Sequence, residues 1–89
     1  MTQSLPKIDL TTFVLSISSA AFMAMGLIPR EDGKRAQVDL ELARQNIDLL
    51  ELMDVKTKGN RTDEENRILE RVLFEARMRF VEVERGIKV

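Results

Sequence analysis

From Leu10 to Ile28 the chain carries no charged side chain, and this constrains the fold more than any other feature. The run TTFVLSISSAAFMAMG is bracketed by apolar residues, whereas everything after it is charge-dense and periodic in helical steps. On a helical wheel the stretch is apolar all round. Phe13, Ile17 and Ile28 lie on one side, Val14 and Met25 on the next, Leu15 and Phe22 opposite. Ser16, Ala20 and Ala24 make a small-residue strip at four-residue spacing that admits a neighbouring helix closely. A helix without a polar face belongs either at the centre of a bundle or in a membrane.

Composition favours the bundle. A spanning helix needs about 20 mostly apolar residues. This stretch is diluted by serines, threonines and a glycine, and no Trp, Tyr or cluster of Lys and Arg anchors its ends. As an export signal it is weak, because Asp9 offsets Lys7 and Ala24-Met25-Gly26 is only a passable cleavage site. The cytoplasm is therefore the expected compartment.

At 89 residues the chain makes one domain. A domain of this size buries only about 60–65% of its unfolded surface and needs staples or partners. Cys is 0 and His is 0, which removes disulfides and the commonest metal ligands. Oligomerisation is the remaining way to enlarge the core. With 14 Lys+Arg against 15 Asp+Glu, a net charge of -1 and no Trp or Tyr, the chain is not built for nucleic acid. The expected partner is a second copy, with a dimer favoured.

Residues 1–8 are expected to form a flexible arm, 9–85 a single helical domain and 86–89 a frayed tail. Asp9 or Thr11 can cap the first helix, and Gly26 with Pro29 closes it. The polar connection REDGKRAQ follows, with Gly33 as its turn. Asp39 caps a second helix whose broad apolar face combines Leu40, Ala43, Ile47 and Leu50 with Leu42, Leu49 and Met53. Asn46 sits in the middle of that face, and Glu41, Arg44, Asp48 and Glu51 occupy the other.

Lys56 and Lys58 suit the negative end of the second helix, and Gly59 suits a left-handed C′ position. Thr62 and Glu65 have the spacing of a capping box. A stop so close to a start predicts an antiparallel helical hairpin. The third helix, from about Asp63 to Glu84, has a main stripe of Leu69, Val72, Leu73, Ala76, Phe80 and Val83. A second stripe, Phe74, Met78 and Val81, lies nearly opposite. The fold class predicted is all-α: one uncharged helix plus an antiparallel hairpin, completed by self-association.

Three sites are candidates. Phe13, Ile17 and Phe22 of the first helix, with Phe74, Met78 and Val81 of the third, are surplus to one core and form the expected self-association interface. Asn46 must find a hydrogen bond if buried, from Ser16, Ser18, Ser19 or its own symmetry mate, and would then set register. Lys56, Lys58, Arg61 and Thr62 converge on a helix N-terminus, where an anion can bind. Catalysis has little to stand on: Asp48 with Glu51 and Glu70 with Glu75 lie on charged faces, and an inward di-metal site would want Glu-x-x-His. Neither cofactor nor metal is expected, and the chain is not expected to be an enzyme.

These residues resemble a small uncharacterised bacterial family, domain of unknown function 1844. The likeness rests on Phe13, Ser16 and Ala20, on Gly26 and Pro29, and on Leu40, Ala43, Arg44, Ile47, Asp48 and Leu50. It continues through Lys56-Thr57, Gly59-Asn60, Thr62 and Glu65 to Leu69, Leu73, Arg77 and Phe80. Arg61 stands where the family pattern has leucine, and Ala76 is smaller than usual. The resemblance implies a short helical protein and supplies no activity. The function expected is a non-enzymatic oligomerising or scaffold module. The alternatives are a membrane-associated regulatory protein inserting its first helix, and an anion-responsive binding protein using the 56–62 turn.

Overall fold

The computed structural model describes residues 7–28 and 37–86. It contains three helices in chain order: α1 (Leu10–Ala24), α2 (Leu40–Thr57) and α3 (Asp63–Glu84). Most of the expected N-terminal arm, Pro29 of the expected helix closure, the 30–36 connection with Gly33, and residues 87–89 of the tail lie outside the described residues.

The first helix starts at Asp9, not Thr11, because the Asp9 carboxylate accepts the Thr12 N–H at 2.8 Å. That bond favours the charged form and lowers the Asp9 pKa. Such a cap contributes stability above the unfolded pKa and loses it as pH falls through the folded one.

The helix ends before the apolar run does. Gly26 takes φ +77°, its N–H bonds the Met23 carbonyl at 3.0 Å, and the Leu27 N–H reaches back to Phe22 at 3.0 Å. This paired closure is a Schellman motif. It stops α1 at 15 residues, about 22 Å of helix against the roughly 30 Å of a bilayer core. Among the described residues no helix is long and apolar enough to cross a membrane.

Asp39 caps α2 through the Leu42 N–H at 3.1 Å. Its own N–H donates to the Ala24 carbonyl at 2.7 Å, joining the end of α1 to the start of α2. At the far end, Lys58 takes φ -58° and ψ 132°, Gly59 takes φ +82°, and the Asn60 N–H bonds Thr57 at 2.9 Å. These are the features of a type II turn, with Gly59 where positive φ is required. Lys58 thus intervenes between the helix and its glycine. A Cβ at Gly59 would meet nothing within 4 Å, so the penalty for Gly59→Val is conformational. It should exceed about 1 kcal/mol in urea unfolding.

The capping box of α3 is complete. Thr62 Oγ1 accepts the Glu65 N–H at 3.1 Å, and Glu65 Oε1 accepts the Thr62 N–H at 2.8 Å. Thr62→Ala should cost about 1 kcal/mol, and an unchanged urea midpoint would show that the cap is redundant.

The three helices all pack on one another. The core is Val14, Ala21, Ala24 and Met25 from α1, Ala43, Ile47 and Leu50 from α2, and Leu69, Val72, Leu73, Ala76 and Phe80 from α3. On α3 the main stripe is buried as its spacing predicts, with Val83 half-buried. Ala21, Ala43 and Ala76 are fully enclosed, one on each helix, and let the backbones approach closely. Arg44 lies 5.0 Å from the Phe80 ring centroid, covering the aromatic with a guanidinium.

Two expectations about phase are corrected. The inward face of α1 runs through Val14, Ser18, Ala21 and Met25, and Ser16 of the expected small-residue strip is exposed. On α2, Leu42 and Leu49 belong to the surface, not to the core face; Met53 is half-buried.

Candidate functional site

The chain's candidate site is apolar surface. Its exposed ionisable side chains are spread over surface pairs: Arg77 Nη2 bonds Glu51 at 2.9 Å between α3 and α2, and Arg79 Nη1 bonds Glu82 at 3.1 Å along α3. Pairs of this kind contribute little individually. Among the described residues no three His, Cys, Asp or Glu side chains gather as metal ligands would.

The six residues expected to form one interface are divided by the fold. Phe74 is 65% exposed, and with Met78 and Val81 it lines a shallow groove beside Asp54, Glu70 and Arg77, on the α2 flank of α3. Phe22 is half-buried and lines a different groove with Ile68, Arg71 and Glu75, on the α1 flank. Ile17 packs against the core, and Phe13 is exposed. The α3 stripe therefore survives as a surface seam, while the α1 residues do not extend it.

A longer seam lies on α2 and the residue just before its cap. Val38, Leu42, Leu49 and Leu52 are exposed apolar residues, with Gln45 and Lys56 exposed between and after them. Leu42 borders a groove with Ala20 and Met23 of α1, so the patch crosses from one helix to the next. Sequence reasoning assigned Leu42 and Leu49 to the core and missed this surface. The available signal was the alternation of four- and three-residue steps from 38 to 56, distinct from the core positions 43, 47 and 50.

Asn46 is buried, at 7% exposure. Its side-chain N–H donates to the Leu42 carbonyl one turn back at 2.9 Å. The expected bond to a serine of the first helix is not what satisfies it. A back-bonded amide is compatible with the helix and leaves the residue without a cross-helix partner.

The turn residues are largely engaged. The Arg61 side chain is only 9% exposed and bonds Asp54 Oδ1 at 2.7 Å, while Thr62 is held by Glu65. Lys56 and Lys58 are exposed. The Glu65 carboxylate already supplies negative charge at the start of α3, where an anion would otherwise sit. Of the four proposed anion contacts, the fold leaves the two lysines open to solvent.

No curated protein and no solved structure matches the chain. A family profile does, over residues 7–82, which include α1, α2 and all but the last two residues of α3. The chain belongs to the family described as Domain of unknown function (DUF1844).

Proposed function

We propose that this protein is a non-enzymatic helical module of the cytoplasm that works by self-association, as a scaffold. One observation carries the reading. Among the described residues thirteen large apolar side chains are exposed, against twelve buried apolar residues of which four are alanines. Scattered exposed leucines are ordinary. Here seven of the thirteen, Val38, Leu42, Leu49, Leu52, Phe74, Met78 and Val81, fall into two seams along α2 and α3, and soluble monomers rarely keep contiguous apolar patches beyond a few hundred Å².

The test is sedimentation velocity without detergent across the micromolar range. The expected result is a species heavier than the 10.2 kDa chain, with a concentration-dependent boundary. A single species of chain mass at every concentration would overturn the reading.

A further inference from the structure

We propose that the second copy docks along α2 in antiparallel orientation, about a two-fold axis passing near residue 47. This rests on the self-association reading and adds the face and the direction. Val38, Leu42, Gln45, Leu49, Leu52 and Lys56 alternate four- and three-residue steps, and all six are exposed. From Leu42 to Lys56 that spacing places them on one stripe of α2 able to mesh with another helix, while Val38 precedes the Asp39 cap and adds apolar surface just beyond the helix.

Within the helix the series from Leu42 to Leu52 is the same from either end. Antiparallel pairing therefore sets Leu42 against the partner's Leu52 and Gln45 against the partner's Leu49. The partner's Lys56, in the last turn of its α2, then lies beyond Leu42. Its ammonium comes beside the start of the facing α2, where Asp39 is the N-cap and Glu41 sits in the first turn. Parallel pairing would instead put Lys56 against Lys56 in the seam. It would also align the two helix dipoles, which antiparallel pairing opposes.

The seam with Met23 beside Leu42 presents on the order of 400 Å² of apolar surface per copy. A standard interface buries about 800 Å² per partner, somewhat more than half of it apolar. The patch is thus of the size a dimer needs.

The α3 seam suits a second copy less well. Continued at the same spacing, Phe74, Met78 and Val81 run into Arg67 and Arg71 on one side and Arg85 on the other. Antiparallel self-pairing there would bring Arg67 to the partner's Arg85, and parallel pairing would set each arginine on its copy. On α2 the like-charge meeting in the antiparallel pair is Asp48 with the partner's Asp48, at the rim beside the axis.

Because the chain has no cysteine, single spin labels at Gln45→Cys and Val55→Cys give a direct test by pulsed electron spin resonance. Separation along the axis grows by about 3 Å for each residue from the two-fold, so the Val55 pair should lie about 18 Å farther apart axially than the Gln45 pair. Equal separations would overturn the antiparallel arrangement. Leu49→Arg should weaken association at least tenfold while Met78→Lys changes it less than twofold, and Asp48→Asn should tighten it about twofold. These sites are exposed, so the variants fold. The reverse ranking of Leu49→Arg and Met78→Lys would place the interface on α3 and sink this proposal while leaving self-association intact. A wild-type chain monomeric throughout would remove both.

Discussion

Leu69→Ala is expected to cost about 2–5 kcal/mol, the range for truncating an enclosed leucine when the surroundings relax only partly. Leu69 has no exposed surface and sits with Leu50, among the largest side chains that are fully buried. A domain of this length holds only about 4–13 kcal/mol of net stability, so the loss is a large fraction of the whole. Each kcal/mol lowers the melting temperature of so small a domain by about 4–8 °C. A fall on the order of 15 °C or more should be seen by circular dichroism, and material already unfolded at room temperature would agree with it. Phe74→Ala removes a larger side chain that is mostly in solvent, and its effect on the folded monomer should stay within about 0.5 kcal/mol. Similar losses from the two would mean that the core has been assigned to the wrong stripe of α3.

Asp54→Ala should be the second most damaging change, through what it leaves behind. The Arg61 side chain is 91% enclosed, and among the described residues its Nε has no partner and its ion pair is to Asp54 at 2.7 Å. Breaking a buried pair from one side costs about 3–5 kcal/mol, because the remaining charge is uncompensated. Asp54 is itself 39% exposed, and water can reach the gap, so about 2–3 kcal/mol is expected. Arg61→Leu tells a different story. It removes the orphaned Nε with the charge and leaves Asp54, which is 39% exposed and open to water, so it should cost less than Asp54→Ala; the apolar exchange that is often neutral or stabilising is that of the whole pair. Urea unfolding of both single variants and the double variant closes the cycle. If Asp54→Ala is harmless while Arg61→Leu is costly, the arginine is held by its packed stem and not by its charge.

The parts of this fold that were legible in sequence are those governed by neighbours in the chain. Asp39, Thr62 and Glu65 could be assigned as caps because a cap needs only a side-chain oxygen three residues from a free N–H. Gly59 marked the hairpin turn because positive φ is a local requirement. The main α3 stripe was legible since acidic and basic residues such as Glu70, Arg77, Glu75 and Arg79 flank it on both sides and fix the phase.

The phase of α1 was not legible, because a helix apolar on every side gives the wheel no polar reference. Its inward face was decided by where Ala21 could meet its neighbours. On α2 the apolar arc is wider than one core can cover, and sequence alone does not say which edge remains outside. Arg61 is the instructive failure among the candidate site residues. Beside Lys56 and Lys58 it looked like one more solvated cation, yet the turn folds it back onto Asp54, seven residues earlier. Arginine where the family pattern has leucine was the available sign that the position faces inward.

The bond from the Asp39 N–H to the Ala24 carbonyl has a consequence for the chain's length. It fixes the two ends of the segment from 25 to 38 against each other, whatever lies between. The cost of closing such a loop rises only with the logarithm of its length, about 0.6 kcal/mol for each doubling. Doubling the segment with a glycine-serine insert between residues 32 and 33 should therefore leave the unfolding midpoint almost unchanged.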